Sequence, residues 1–304
     1  MIGYAKWSHV FAYLRGGKMY LGVQGLMPDD LDEVTAATVS RIREHGFTGA
    51  ACRFFEPMSA TRDTVMRLRD IMEVGGVAPC QTVAAHPDLL AASEVVRREG
   101  VRAMQHMCQV TRWLGAGNLY VRPGSRNPAG SWYPHPDNFT MDAFCTLVNS
   151  LREVCAAAEE HGVLLALEGH TLSILDTPER IRELIEEVGS PMLRFNADPV
   201  NFVSSLREAY STTAMIDRLF DVLGEYTICG HVKDFYVKDR LVLHLEETVI
   251  GDGLLDQVTF LRRFEESCPD GYLQIEHVPD EKIVAARESL FTTGIEAGIV
   301  WKGL

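Results

Sequence analysis

The sequence has no C-x-x-C pair, no apolar run long enough to span a bilayer and no surplus of positive charge. Its seven cysteines, Cys52, Cys80, Cys108, Cys145, Cys155, Cys229 and Cys268, are odd in number and scattered. Such spacing reads as reduced thiols in a cytoplasmic compartment, and their apolar surroundings read as core packing rather than thiol catalysis. The opening stretch MIGYAKWSHVFAYLRGGK is interrupted by Lys6, His9 and Arg15 and has no small-residue cleavage site, so neither a signal peptide nor a membrane span is expected. Against 42 Asp and Glu stand only 29 Lys and Arg, a formal net charge of −13. That balance argues against nucleic acid and anionic membranes as partners. No Pro/Gly/Ser-rich linker divides the chain, so a single domain is expected over residues 19–304, preceded by an N-terminal extension over residues 1–18.

What is present is an alternation of short β-like apolar runs with longer segments of helical period. Eight such units can be counted, with strand candidates MYLGVQG from Met19, FTGAACRFF from Phe47, VAPCQTVA from Val77, NLYVRPGS from Asn118, VLLALEGH from Val163, LRFNADP from Leu193, ICGHVKDF from Ile228 and YLQIEHV from Tyr272. Eight parallel strands with crossover helices make an α/β fold, a (β/α)8 TIM barrel. Helix starts are signalled by Asp29-Asp30, Asp63, Thr140 and Thr177-Pro178, and exits by Gly46 and Gly162. Two stretches after strands exceed ordinary loop length. One runs from Arg122 to Asn138; the other, Tyr236 to Asp256, alternates like a hairpin in RLVLHLEETV.

The last four strand candidates each end in a residue with metal-ligand chemistry: Glu168, Asp198, His231 and Glu276, spaced by 30 (198−168), 33 (231−198) and 45 (276−231) residues. Each falls one βα unit after the last. Inward residues at that end of a barrel converge, and a carboxylate within LLAL or LQI is costly to bury unless paired or metal-bound. Three carboxylates and an imidazole suit one divalent ion, Mn²⁺ or Mg²⁺ first, with Co²⁺ or Zn²⁺ as alternatives.

The motifs LALEGH, FNADPVNF, GHVKDF with its following GDG, and LQIEH resemble the xylose-isomerase-like TIM barrel superfamily, also known as the sugar phosphate isomerase/epimerase or AP-endonuclease-2-like family. The resemblance implies an enzyme acting on a sugar or cyclitol, in which Glu168 and Glu276 move protons at a carbon next to a carbonyl while the metal stabilises enediolate charge. The extra Glu and Arg usual in ketose 3-epimerases are absent from GHTLSIL and VKDFYV, and the additional histidines of endonuclease members are also absent. Elimination, as in inosose-type dehydration or C-glycoside cleavage, is the alternative reaction. A non-catalytic metal-binding scaffold subunit is the alternative class, and homo-oligomers or a partner subunit are the expected assemblies.

Around this set lie candidates for substrate contact. His170, two residues past Glu168, either binds substrate oxygens, orients Glu168 or caps the strand end. Lys233 either neutralises charge in the site or pairs with Asp234, and Asn196 and Asn201 flank Asp198 as hydrogen-bonding partners. Arg122 closes the fourth strand where a guanidinium can hold a substrate oxygen or carboxylate. Trp132 and Tyr133 offer an aromatic wall beside His135, an acid/base candidate; His86 is a similar candidate, and Arg53 and Glu56 are expected at the mouth. His277 alternates away from Glu276 and is expected outside the barrel. Met104, His106, Met107 and Cys108 recur at helical spacing and read as core.

Overall fold

The computed structural model describes residues 18–303. Only Lys18 of the expected extension falls within them, and the rest of that expectation lies outside the described residues. Eight parallel strands close a barrel: β1 (Lys18–Val23), β2 (Gly49–Phe54), β3 (Ala78–Ala84), β4 (Leu119–Val121), β5 (Leu165–Leu167), β6 (Leu193–Ala197), β7 (Thr227–Val232) and, after a two-stranded insertion, β10 (Tyr272–Ile275). Closure is made by β1 against β10, in register from Tyr20 with Tyr272 to Val23 with Ile275. The insertion is an antiparallel hairpin of β8 (Asp234–Val237) and β9 (Leu245–Thr248); a last short strand, β11 (Val300–Trp301), adds to the outer end of β1.

Helices α1 (Ala36–Glu44), α2 (Arg62–Val74), α3 (Glu94–Leu114), α4 (Met141–His161), α5 (Pro178–Val188), α6 (Leu206–Ala209), α7 (Thr212–Leu223), α8 (Gln257–Ser267) and α9 (Ile283–Ala297) occupy the crossovers. The long ones turn one apolar stripe inward, as α3 does with Val101, Met104, Cys108 and Leu114. Thr140 and Thr177 cap α4 and α5 as expected, and Gly162 ends α4 in the left-handed region at φ 65°. Two starts differ by a turn. Thr35 and Thr61, rather than Asp30 and Asp63, cap α1 and α2, because a threonine three residues on completes a reciprocal cap at each. The hairpin is also displaced: its first strand is DFYV, and Leu241 and Val242 lie exposed in the connection to β9. Among the described residues no helix is long and apolar enough to cross a membrane.

The barrel interior is not all hydrocarbon. Gln81, Gln274, Asn196 and His231 are buried in its upper layers, below the strand ends. Gln24 joins them, donating to Gln81 Oε1 at 2.8 Å and to Gln274 Oε1 at 3.2 Å, while Gln81 donates to Asn118 Oδ1 at 3.0 Å. Gly22 makes room for this layer, since a Cβ there would lie 3.0 Å from Gln274 Cγ and 3.1 Å from Cys80 Sγ. All the amides of the layer but the Gln274 Nε2 group are thus partnered, which is what makes burial of such groups tolerable.

Candidate metal centre and active site

The short strands set the site. β5 ends at Leu167, but Glu168 still donates its backbone N–H to Val121 O at 3.0 Å, and Glu276 does the same to Val232 O at 3.3 Å. The strand direction thus carries both carboxylates one residue past the apolar runs and onto the barrel axis. Asp198 follows β6 directly, and His231 lies within β7 in register with Gln274. One ligand atom from each of Glu168, Asp198, His231 and Glu276 falls within 4.8 Å of all the others. His231 Nδ1 lies 3.1 Å from Glu168 Oε1 and 3.3 Å from Glu276 Oε2.

Several of these atoms lack hydrogen-bond partners. Asp198 Oδ1 and Oδ2, His231 Nδ1 and Glu276 Oε2 are buried without a well-formed hydrogen bond, although Lys233 lies within ion-pair distance of Asp198 Oδ2 and Glu276 Oε2. Carboxylate oxygens crowded around one imidazole nitrogen are expensive to bury, and the set fits a cation. The other nitrogen of His231 is engaged: Nε2 lies 3.0 Å from Gln81 Oε1 and 3.1 Å from Gln24 Nε2, and donation to Gln81 leaves the Nδ1 lone pair for a metal. The donor set is rich in hard oxygen, which suits Mg²⁺ or Mn²⁺. Lys233 resolves the two alternatives set for it. Its ammonium lies 2.8 Å from Asp198 Oδ2 and 2.9 Å from Glu276 Oε2, not on Asp234, whose oxygens are taken by the backbone N–H groups of Phe235, Gly251, Gly253 and Leu255.

Proton affinities follow from this crowding. Burial pulls the His231 imidazolium down, but Glu276 and Glu168 outweigh it and raise it to about 10. Burial pushes the carboxylates up; for Asp198 that wins, whereas His231 and Lys233 hold Glu276 well below the usual range and Glu168 is lowered too. The two catalytic candidates also differ in constraint. Glu168 accepts from Tyr120 Oη at 2.5 Å and from Asn196 Nδ2 at 2.9 Å, so both its oxygens are fixed. Glu276 Oε1 has only His277 Nε2 nearby, at 3.8 Å.

Above the cluster opens a cavity of about 400 Å³. Arg122, Trp132, His170, Asn201, Lys233 and Arg53 line it, as the sequence leads one to expect. Trp132 meets His170 edge-on at 5.7 Å between ring centroids, and His170 Nδ1 accepts from Leu172 N at 3.1 Å. His135, His86 and Glu56 do not line this cavity. His135 instead caps a short 3-10 turn, accepting from Asp137 N at 3.2 Å. His86 bonds its own neighbour, Nδ1 to Pro87 O at 2.7 Å, and burial with the charge of Arg122 lowers its imidazole to about 3. Glu56 lines an adjoining groove. His277, expected outside, is part of the wall: its φ of 56° turns the chain after Glu276, and its Nδ1 meets Glu247 at 2.9 Å.

Tyr120, Gln24 and Glu247 are the polar lining residues that sequence reasoning missed; Phe55, Val83, Ala84 and Ala85 complete the apolar part of the wall. Three strands carry a glutamine inside an apolar run, in GVQG, CQTV and LQIE, and that recurrence was the signal available for the buried amides.

A closed parallel barrel with helices outside and a hard-ligand pocket at its strand ends defines a (β/α)8 protein with a candidate divalent-metal centre. The profile of the xylose isomerase-like TIM barrel family matches residues 39–296, and the chain belongs to that family. None of the curated proteins matches the sequence. Among solved structures, a D-tagatose 3-epimerase-like protein superposes with a TM-score of 0.70 at 19% identity, over 92% of this chain and 98% of that one. A xylose isomerase-like TIM barrel protein from Mycobacterium smegmatis, in complex with magnesium, gives 0.70 at 14%, over 93% and 99%. The apo 3-keto-D-glucoside 4-epimerase from E. coli gives 0.67 at 15%, over 90% and 99%. At these identities the likeness is one of fold.

Proposed function

We propose that this protein is a divalent-metal-dependent isomerase or epimerase that moves a proton at a carbon next to a carbonyl in a sugar or cyclitol. The observation that carries the reading is the convergence of Glu168, Asp198, His231 and Glu276 beneath a cavity large enough for such a substrate. Sugar epimerases among the structures of like fold agree with it. A bound Mg²⁺ or Mn²⁺ supplies positive charge where negative charge develops on the substrate oxygens.

The protein's own groups divide the remaining work. Glu276, loosely held at Oε1 and kept ionised by His231 and Lys233 at Oε2, takes the proton from carbon. Glu168, fixed by Tyr120 and Asn196, faces the substrate from the other side and returns a proton there. Trp132 and His170 shield one wall from water.

The test is to incubate Mn²⁺-loaded protein with ketoses, inososes and 3-keto-glycosides in D2O and follow deuterium uptake by NMR. Exchange abolished in Glu276→Gln and in Glu168→Gln supports the assignment. Exchange indifferent to both changes refutes it, and loss of water from a substrate would assign the elimination reaction instead.

A further inference from the structure

Arg122 is set apart from the other cations of the cavity. Lys233 pairs with Asp198 and Glu276, His277 pairs with Glu247, and Arg53 is exposed to water. Arg122 is only partly exposed, and among the described residues no carboxylate oxygen comes within the 4.0 Å of an ion pair. Its Nη2 donates to the backbone oxygen of His86, and its Nε is buried without a partner. Asp88 exerts charge on it from a distance, but the Asp88 oxygens are taken by Leu90 N at 2.8 Å, Ser125 N at 3.0 Å and Ser131 Oγ at 2.7 Å. Those bonds pin the loop that follows β4, and so hold the guanidinium in place rather than neutralise it. Burial accordingly lowers the proton affinity of Arg122.

The charge balance of the cavity points the same way. The three carboxylates of the cluster would be matched by Lys233 and a divalent ion, which leaves Arg122 with only the distant charge of Asp88 and no ion pair among the described residues. A desolvated guanidinium is costly alone and strongly favours a planar anion. One fixed fork suits a carboxylate; a phosphate calls for more donors, and of the other cations lining the cavity among the described residues Lys233 and His277 are paired and Arg53 is exposed to water.

We propose that the substrate is a sugar acid: Arg122 holds its carboxylate while the carbonyl end lies against Glu168 and Glu276. The placement of the carbonyl rests on the proton-transfer reading above; the anion subsite does not. The test uses calorimetry on Mn²⁺-loaded protein with the matched pair D-fructose and D-fructuronate, which differ by a terminal carboxylate. D-fructuronate is expected to bind about ten- to a hundred-fold tighter, the worth of a charge-assisted hydrogen bond. Arg122→Gln should abolish that preference, bringing the two affinities together, while Arg122→Lys keeps part of it. Equal affinity of the wild-type protein for the two sugars, or a preference that survives Arg122→Gln, overturns the proposal. The wild-type comparison decides even if a variant fails to fold. Deuterium exchange on the same samples separates the two readings: an Arg122-dependent preference without exchange sinks proton transfer and leaves the subsite standing, and exchange with equal affinities does the reverse.

Discussion

Loading the site with a divalent cation should release protons, in a number that depends on pH. In the metal-free protein the His231 imidazolium persists to about 10, because Glu168 and Glu276 crowd its Nδ1. A metal must therefore displace that proton at neutral pH. Competition with one proton costs about tenfold in apparent affinity, or about 1.4 kcal/mol, for each unit of pH below the group's own value. Between about pH 9 and pH 7 the affinity for Mn²⁺ should fall about a hundred-fold. Asp198, raised by burial, adds a second proton on the acid side and steepens the slope. The sign for stability is opposite without metal. A raised imidazolium stabilises the folded state fully below its unfolded value of 6.5, and that contribution is lost as pH rises through about 10. Metal-free protein should thus lose stability in alkali while metal-loaded protein gains affinity. Calorimetric titration in buffers of different ionisation enthalpy counts the protons directly. An affinity that is flat across this range, with no protons released, would refute the reasoning.

Three further outcomes are expected. Tyr120→Phe removes the donor to Glu168 Oε2, so the carboxyl should titrate higher and the limb of the kcat profile that Glu168 sets should move up, with about tenfold lower kcat; an unmoved limb counts against it. Gln81→Leu frees His231 Nε2 and should weaken Mn²⁺ binding by about ten- to a hundred-fold, read by titration. In Gly253→Ala the new Cβ would stand 2.1 Å from Asp234 Oδ1 and 2.6 Å from Phe235 O, which should destabilise the fold by about 1–3 kcal/mol in denaturant unfolding.

Which parts of this molecule can be read from its sequence follows from how polarity is distributed. Glu168, Asp198, His231 and Glu276 are chargeable residues at the ends of apolar runs, one βα unit apart, so strand direction and burial cost together pick them out. Tyr120 has no such contrast, since tyrosine is ordinary in a strand and only the inward side of β4 gives it a role. Glu247 reaches the cavity through the pairing of β8 with β9, and a hairpin pattern in the sequence does not say which of its faces turns to the cavity. His277 departs from alternation because its backbone adopts a positive φ, which a histidine seldom does. His135 shows the converse. A loop histidine beside aromatics carries the same letters whether it faces a substrate or, as here, caps a turn.

The layer formed by Gln24, Gln81, Gln274 and Asn118 behaves like a row of small magnets set head to tail. The orientation of each amide is dictated by its neighbour, and the row ends on the imidazole of the candidate metal centre. Reversing one member would bring like poles together, so losses from single replacements there should fail to add, and a pair changed together could cost less than either alone. Anyone reshaping this barrel for a new ion would do better to exchange the row as a block than residue by residue.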